Sequence, residues 1–252
     1  MTHYKSGCLV FGIVLALLAP NTSSNSEGHL SPIIVVGATA RSAPEIIIQG
    51  LAEGRRVVGL ARSPEKIKID HPNFTAIKGD VYNVESLANA LDGDEVVISL
   101  VGPSYVPGKE VTSVDLYSVG TASLITAMRR KGNTRLIVTS SGGTEMIPDD
   151  KKTTGSFAEN FVWLKRGLYQ DMQRMEKIVT NSDLEYVILR PRGFVDQPAK
   201  DNLKIADGVP TPNPSSILSY ADFAALVLSL TDGDRYLNRP IGVYTDEYAT
   251  SP

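Results

Sequence analysis

The amino-acid sequence predicts an α/β fold, in which helices cover both faces of one doubly wound parallel sheet. From residue 31 onward, short apolar runs without polar alternation recur, which is typical of strands buried on both faces. They alternate with longer segments of helical spacing, an order that indicates parallel strands joined by helices. The chain has 252 residues, of which 42% are hydrophobic and 21% charged, so one globular domain with a full core is expected.

The first strand and helix are defined by their ends. The apolar run 32–37 finishes at a glycine, and the segment 43–53 then has helical spacing. Pro44 suits the first turn of a helix, and Gly54 suits its end. Further strands are predicted at 57–62, 74–80, 95–101, 136–139, 186–189 and 241–243, and further helices at 84–91, 112–131, 157–180 and 221–230.

Turn and end signals support the middle of this series. The sequence Asp92-Gly93-Asp94 follows the segment 84–91 and is typical of a turn that ends a helix. The segment 112–131 finishes with two arginines and a lysine, which interact favourably with the negative end of a helix dipole. No internal repeat or low-complexity tract interrupts the alternation.

Residues 1–30 have the pattern of a leader and are excluded from the predicted fold. Lys5 precedes an uncharged apolar run over residues 7–19. This run is shorter than the roughly 20 residues that a membrane-spanning helix needs, and it suits the core of a signal peptide. Pro20 makes the following cleavage site poor, so an export signal, an uncleaved anchor and a misplaced gene start all remain open. The folded domain is predicted to comprise residues 31–252.

Charge and residue counts exclude several classes of function. The formal net charge of −3 argues against a nucleic-acid-binding surface, which is expected to be basic. Cys8 is the only cysteine, so no disulfide framework is expected. The three histidines are His3, His29 and His71, all in the first third of the chain. We therefore expect no histidine-based triad and no metal site.

The turn between the first strand and the first helix reads Gly-Ala-Thr-Ala-Arg-Ser-Ala over residues 37–43. Glycines in such a turn allow a tight bend and the close approach of a pyrophosphate to the helix N-terminus. Only Gly37 is a glycine here; Ala43 suits close helix–strand packing, but the methyl group of Ala40 is expected to crowd the phosphate. A plain connecting turn is the alternative. The residues predicted to hold the pyrophosphate are Gly37, Thr39, Ala40, Arg41 and Ser42.

Arg62, at the end of the second strand, predicts which dinucleotide is bound. An acidic residue at this place would bind the ribose hydroxyls of NAD, whereas an arginine accommodates the 2′-phosphate of NADP. The sequence therefore favours NADP(H), and a solvated arginine is the alternative. Two further loops follow strands at the edge where open α/β sheets bind ligands. They place Asp80 and Val81 beside the adenine, and Leu100, Val101 and Gly102 under the ribose.

These residues carry a resemblance to a known family. The segments GATARSAPEIIIQGLAEGRRVVGLARSPEKI, GDVYNVESLANAL and DEVVISLVGP resemble atypical short-chain dehydrogenase/reductases with an NAD(P)-binding Rossmann domain. The segments RLIVTSSGG, DMQRMEKIVTNSDLEYVILRP and GFVDQP are similar to the flavin reductase or biliverdin-IXβ reductase (NmrA-like) branch. The resemblance covers residues 31 to about 245. It implies binding of NADPH and hydride transfer to flavins or tetrapyrroles in an open pocket.

The Tyr-x-x-x-Lys pair of the wider family is missing. In that pair the lysine lowers the pKa of the tyrosine, which then transfers a proton. Alignment puts Leu168 and Met172 at the two places, with Tyr169 one residue out of register. The spacing recurs literally only from Tyr105 to Lys109, where an intervening Pro-Gly predicts a loop. We interpret that match as chance, with Tyr105 on the rim of the pocket.

Ser141 follows the fifth strand and matches the active-site serine of the family. Its expected role is a hydrogen bond to a substrate carbonyl, and a serine satisfied by backbone groups is the alternative. The related branch often has a histidine after the sixth strand, where this chain has Gly193. Arg192 would pair with a substrate carboxylate or phosphate, or else be a solvated charge. Tyr105, Arg192 and Phe194 are the predicted substrate contacts.

Two functions of different classes follow. The first is an NADPH-dependent reductase that transfers hydride to a flavin-, tetrapyrrole- or quinone-like small-molecule acceptor. The second is a non-catalytic NAD(P)-binding sensor or assembly factor, favoured by the missing Tyr–Lys pair, the two turn alanines and the leader. The leader suggests export or membrane association, whereas the cofactor requires a compartment that contains NADPH. Isomerase or lyase chemistry on the same scaffold is a third interpretation, and the sequence leaves the oligomeric state open.

Overall fold

A mostly parallel eight-stranded sheet forms the centre of the computed structural model, which describes residues 30–103, 109–147, 157–212 and 216–246. Its strand order is β3-β2-β1-β4-β5-β6-β10-β8, with β8 antiparallel to β10 and the other pairs parallel. The strands β7 and β9 form a separate parallel pair. The strands are β1 (Ile33–Val36), β2 (Val57–Ala61), β3 (Phe74–Lys78), β4 (Val96–Ser99), β5 (Arg135–Thr139), β6 (Glu185–Pro191), β7 (Gly193–Val195), β8 (Lys204–Asp207), β9 (Ile217–Ser219) and β10 (Arg239–Tyr244).

Helices cover both faces of the sheet and close two hydrophobic cores. Helices α1 and α6 pack on one face, and α2, α3 and α5 on the other. Strand β1 shows why its sequence is apolar throughout: Ile33 and Val35 belong to one core, and Ile34 and Val36 belong to the other. The helices are α1 (Ala43–Ala52), α2 (Val84–Ala88), α3 (Leu116–Lys131), α4 (Phe157–Leu164), α5 (Arg166–Thr180) and α6 (Tyr220–Ser229).

The predicted doubly wound α/β fold in one domain is confirmed, with two differences that share a cause. The helix predicted over 157–180 is two helices separated at Lys165, and α3 begins four residues later than the predicted 112. The segment 109–115 lies along the junction of α4 and α5, where Val111 N–H donates to the Leu164 carbonyl at 2.8 Å. The Gly167 N–H donates to the Val111 carbonyl at 2.9 Å, and the Lys165 ammonium donates to the Lys109 carbonyl. These hydrogen bonds between segments distant in sequence interrupt the predicted helix 157–180 at Lys165. They also hold the segment before Leu116 outside α3.

Three strands were not predicted from the sequence. Strands β7, β8 and β9 are only three or four residues long and lie in or beside the Pro-, Asn- and Asp-rich stretch before α6. Such short strands give no clear periodicity, and their pairing partners are distant in sequence. Residues 1–29 of the predicted leader and Tyr105 lie outside the described residues. Among the helices of the described residues, none has the length and apolar character that a membrane span requires.

Candidate functional site

A cleft of about 860 Å³ lies at the carboxyl ends of β1, β2, β3 and β4. The strand order reverses between β1 and β4, and open α/β sheets bind ligands at such a switch point. The cleft brings together nearly all the residues that the sequence predicted for a dinucleotide, with Ser42 beside it in the turn. Among the predicted residues, its lining includes Gly37, Thr39, Ala40, Arg41, Arg62, Asp80, Val81, Leu100, Val101, Gly102 and Phe194.

The turn after β1 has the geometry of an anion site. Gly37 has φ +87°, and a Cβ there would lie 3.0 Å from the backbone C and O of Leu100, so both conformation and space require glycine. Ala40 N–H donates to the Gly37 carbonyl at 2.8 Å. Among the described residues, the N–H groups of Thr39, Arg41 and Ser42 have no hydrogen-bond partner. Because the Ser42 side chain does not cap α1 either, the helix N-terminus can accept a phosphate.

Ala40 was the residue most doubtful for phosphate binding. It is half-buried, and it packs against the core formed with α1 and α6. Ala43 is completely buried in the same core, as the predicted role in helix–strand packing requires. The two alanines therefore leave the cradle formed by Gly37 and the N–H groups of the turn intact, and the residues present fit a pyrophosphate.

Arg41 and Arg62 stand out among the arginines of the described residues. Both are exposed and line the cleft, and they are the two described arginines with no ion pair and no hydrogen bond. No acidic side chain stands at the end of β2, where Arg62 and Ser63 follow Ala61. Two uncommitted guanidinium groups at this end of the cleft fit an additional phosphate.

The wall after β3 includes an aromatic residue that the sequence analysis did not identify. Tyr82 lines the cleft with 49% of its surface exposed, and its hydroxyl donates to Asp115 at 2.9 Å. The Asp80 carboxylate accepts from the Tyr82 N–H at 3.0 Å, which fixes this loop. Burial, followed by the bond to Asp115, raises the pKa of the Tyr82 phenol. The signal available in the sequence was an aromatic residue directly after Asp80-Val81.

Further aromatic side chains line the cleft. Phe194 stacks on Tyr220 with ring centroids 5.1 Å apart and planes at 12°, and it meets Phe223 edge-on at 5.0 Å. Phe194 and Tyr220 line the cleft together with Phe161. Tyr220 was missed because β9, which places it at the start of α6, gives too short a signal.

Ser141 is hydrogen-bonded to groups of its own turn, as in the alternative interpretation of a serine satisfied by its surroundings. Its hydroxyl oxygen accepts from the Gly143 N–H at 3.1 Å and begins a 3₁₀ turn over Gly142–Glu145. Its carbonyl accepts from the Thr144 hydroxyl at 2.8 Å. Ser141 is half-buried and does not line the cleft described above. A catalytic role for Ser141 stays a prediction.

The predicted substrate contact Arg192 needs correction. Its side chain is 6% exposed and does not line the cleft. One guanidinium nitrogen donates to Glu145 and to the Thr211 carbonyl, both at 3.1 Å, and the other donates to the Gly142 carbonyl. The side chain is therefore neither solvated nor available to a substrate anion, and burial lowers the pKa of the guanidinium.

Arg190 and Glu176 extend this buried network beneath the 3₁₀ turn. Arg190 pairs with Glu176 at 2.6 Å and with Glu145 at 3.2 Å, while the Ser140 hydroxyl donates to Glu176 at 2.6 Å. Burial opposes the charge of Arg190, but the two carboxylates outweigh it and raise the pKa. Thus the two arginines at the carboxyl end of β6 hold the 3₁₀ turn and the segment at Thr211 in place.

Comparison with known proteins identifies the family. A family model described as NAD(P)H-binding matches residues 37–234, which includes the turn, both cleft walls and the buried network. The chain belongs to this NAD(P)H-binding family. The NAD(P)-binding domain recognised from the sequence motifs is thereby confirmed.

Proteins of similar sequence or structure support the same fold. The uncharacterized protein YwnB of Bacillus subtilis is 22% identical over 225 residues, which are 84% of this chain and 97% of YwnB. A short-chain dehydrogenase/reductase from Veillonella parvula, solved in complex with NADP, has a TM-score of 0.70 at 20% identity, covering 87% of this chain and 97% of its own. ChuY, an anaerobilin reductase from Escherichia coli, has a TM-score of 0.66 at 18% identity, covering 88% and 100%. At these identities the solved structures establish the Rossmann fold.

Proposed function

We propose that the protein is an NADPH-dependent reductase that transfers hydride to a flavin-, tetrapyrrole- or quinone-like acceptor. The observation that carries the choice of NADPH is the pair of exposed, uncommitted arginines in the cleft, Arg41 and Arg62. A 2′-phosphate adds charge at the adenosine end, and guanidinium groups bind phosphate through charge-assisted hydrogen bonds. The Veillonella parvula relative solved with NADP supports the same choice.

The residues of this chain would bind and orient the nucleotide. The N–H groups of Thr39, Arg41 and Ser42 would hold the pyrophosphate, and Asp80 with Val81 would flank the adenine. NADPH supplies the hydride when it is bound, so the protein's part is orientation and the exclusion of competing reactions. The stacked rings of Phe194 and Tyr220 offer a flat apolar wall for a conjugated acceptor.

Removal of the two arginines tests the cofactor. We expect Arg41→Ala and Arg62→Ala each to raise the dissociation constant of NADPH by about 10-fold or more, since a hydrogen bond to a charged group contributes about 1.5–3 kcal/mol. NADH affinity should change little, because NADH lacks the 2′-phosphate. Both constants are measurable by nucleotide fluorescence, with Arg235→Ala, remote from the cleft, as the matched control. Unchanged NADPH affinity in both variants would refute the assignment.

A non-catalytic nucleotide-binding protein is the second candidate. It is favoured by Leu168 and Met172 at the places of the missing pair and by the hydrogen bonds of Ser141 to its own turn. Anaerobic oxidation of bound NADPH by FMN, biliverdin and a benzoquinone separates the candidates. Acceptor-dependent oxidation supports the reductase; tight NADPH binding without oxidation by any of the three supports the sensor.

A further inference from the structure

Tyr117 does not itself line the cleft, but it places its hydroxyl next to Gly102, a residue that does. It lies in the first turn of α3, and only 7% of its surface is exposed. Its hydroxyl oxygen lies beside Gly102, where an added Cβ would be 3.3 Å away. Gly102 itself is exposed and lines the cleft. The lack of a side chain at residue 102 leaves a passage from the cleft toward the Tyr117 hydroxyl, which a Cβ would fill.

The hydroxyl is available as a donor. It has no hydrogen-bond partner among the described residues, although buried phenols usually find one. Among the described residues, the unpartnered side-chain atoms that have no accessible surface are Asn133 Oδ1, Arg192 Nε and Thr211 Oγ1. The Tyr117 hydroxyl is not one of them, so its oxygen keeps some accessible surface. Burial raises the pKa of the phenol, and the neighbouring Tyr169 and Asp171 raise it further, so the proton stays on the oxygen.

Strand order decides which half of the nucleotide meets this hydroxyl. Arg62 and Asp80 follow β2 and β3, which lie on one side of β1, whereas Gly102 follows β4 on the other side. With the pyrophosphate on the turn after β1, an adenosine at Arg62 sends the other half of the dinucleotide toward β4. Tyr117 then lies at the nicotinamide side.

We propose that Tyr117 anchors the reactive half of the nucleotide, its hydroxyl donating a hydrogen bond beside Gly102 to the nicotinamide riboside. This inference rests on the proposed function for the direction in which the nucleotide lies. It gives the chain a hydroxyl at the reacting end, carried by α3. The Tyr–Lys pair of the wider family would lie on α5, where this chain has Leu168 and Met172 instead. The backbone supports the position, because Tyr117 N–H donates to the buried carboxylate of Asp171 at 2.8 Å.

Two ligands separate this role from a general loss of binding. In Tyr117→Phe, the dissociation constant of NADPH is expected to rise about 3- to 10-fold, the effect of one neutral hydrogen bond. Adenosine 2′,5′-bisphosphate carries only the adenosine half, so its affinity should not change. Should NADH be the preferred nucleotide, NADH and AMP replace this pair. Tyr186→Phe is the matched control, since Tyr186 is equally buried near the start of β6 and does not line the cleft.

Gly102→Ala provides a second variant that leaves the hydroxyl in place. Its methyl group would fill the passage, so NADPH affinity should fall while the bisphosphate binds as before. NADPH affinity equal to that of the native protein in Tyr117→Phe, or an equal loss for both ligands, would overturn the proposal. If native protein binds NADPH but reduces no acceptor, the reductase function is wrong; the two dissociation constants still decide the role of Tyr117.

Discussion

At the scale of single residues, Glu145 joins three segments that are distant in sequence. One carboxylate oxygen accepts from Arg190 at 3.2 Å, and the other accepts from Arg192 and from the Thr211 N–H, both at 3.1 Å. These side chains are largely buried, at 13% exposure for Glu145 and 6% for Arg192. A buried carboxylate with three charged or polar partners fixes the geometry of the loops beside the cleft.

Glu145→Gln should lower the free energy of unfolding by about 3 kcal/mol, because two buried guanidinium groups lose their shared counter-charge. Urea denaturation measures the change. Glu85→Gln is the comparison: it breaks the exposed pair with Arg130, and exposed pairs contribute about 0.5 kcal/mol. Equal losses in the two variants would show that burial does not determine the strength of the network.

The cleft residues contributed by the βα turns were identified from sequence because each follows a strand directly. Gly37, Arg62 and Asp80 could be placed once the strands were recognised. The partner of Arg192 could not be foreseen, since Glu145 is 47 residues away and meets it only through the 3₁₀ turn. The position of a side chain along a strand predicts its edge of the sheet; its hydrogen-bond partners depend on tertiary packing.

At the scale of elements, α5 caps α3. The Asp171 carboxylate, fully buried, accepts from the N–H groups of Tyr117 and Ser118 and from the Ser118 hydroxyl. The N-cap residue Asp115 makes no side-chain cap bond of its own and instead accepts from Tyr82. A helix N-terminus is stabilised by such an acceptor and negative charge, here supplied from a neighbouring helix.

Asp171→Ala should destabilise the protein by about 2–3 kcal/mol, because buried donors at the start of α3 lose their acceptor. Amide hydrogen exchange should accelerate at residues 117–118 before the rest of α3. Arg174→Ala removes the partly exposed partner of Asp171 and a hydrogen bond to the Val114 carbonyl, but it keeps the Asp171 carboxylate and should leave these amides protected. Unchanged exchange in Asp171→Ala would show that α3 does not need this cap.

The elements themselves were predictable where burial leaves a clear signal in the sequence, as in the continuous apolar run of β1 and the helical spacing of α1 and α6. The break at Lys165 was not, because residues 157–180 keep helical spacing across it. That break depends on the segment 109–115, whose hydrogen bonds to Leu164 and Gly167 compete with those of a continuous helix. Local pattern and tertiary contact disagree here, and the tertiary contact prevails.

At the scale of the whole molecule, the switch point between β1 and β4 relates the two cores to the cleft. Strand β1 contributes side chains to both cores, and the turn that follows it presents free N–H groups to a ligand. A nucleotide spanning the ends of β2, β1 and β4 would therefore contact segments supported by both faces of the sheet. Binding there is expected to stabilise the native state as a unit.

NADPH at about 100 times its dissociation constant should raise the free energy of unfolding by about 2.7 kcal/mol. For a chain of this size, that corresponds to a rise in Tm of about 5–10 °C, measurable by calorimetry. The double variant Arg41→Ala, Arg62→Ala should keep the native Tm without nucleotide, since both side chains are exposed and unpaired. At equal nucleotide concentration, its NADPH-induced shift should fall to that given by NADH. A full NADPH shift in the double variant would place the 2′-phosphate elsewhere, and no shift with either nucleotide in the native protein would show that the cleft does not bind them.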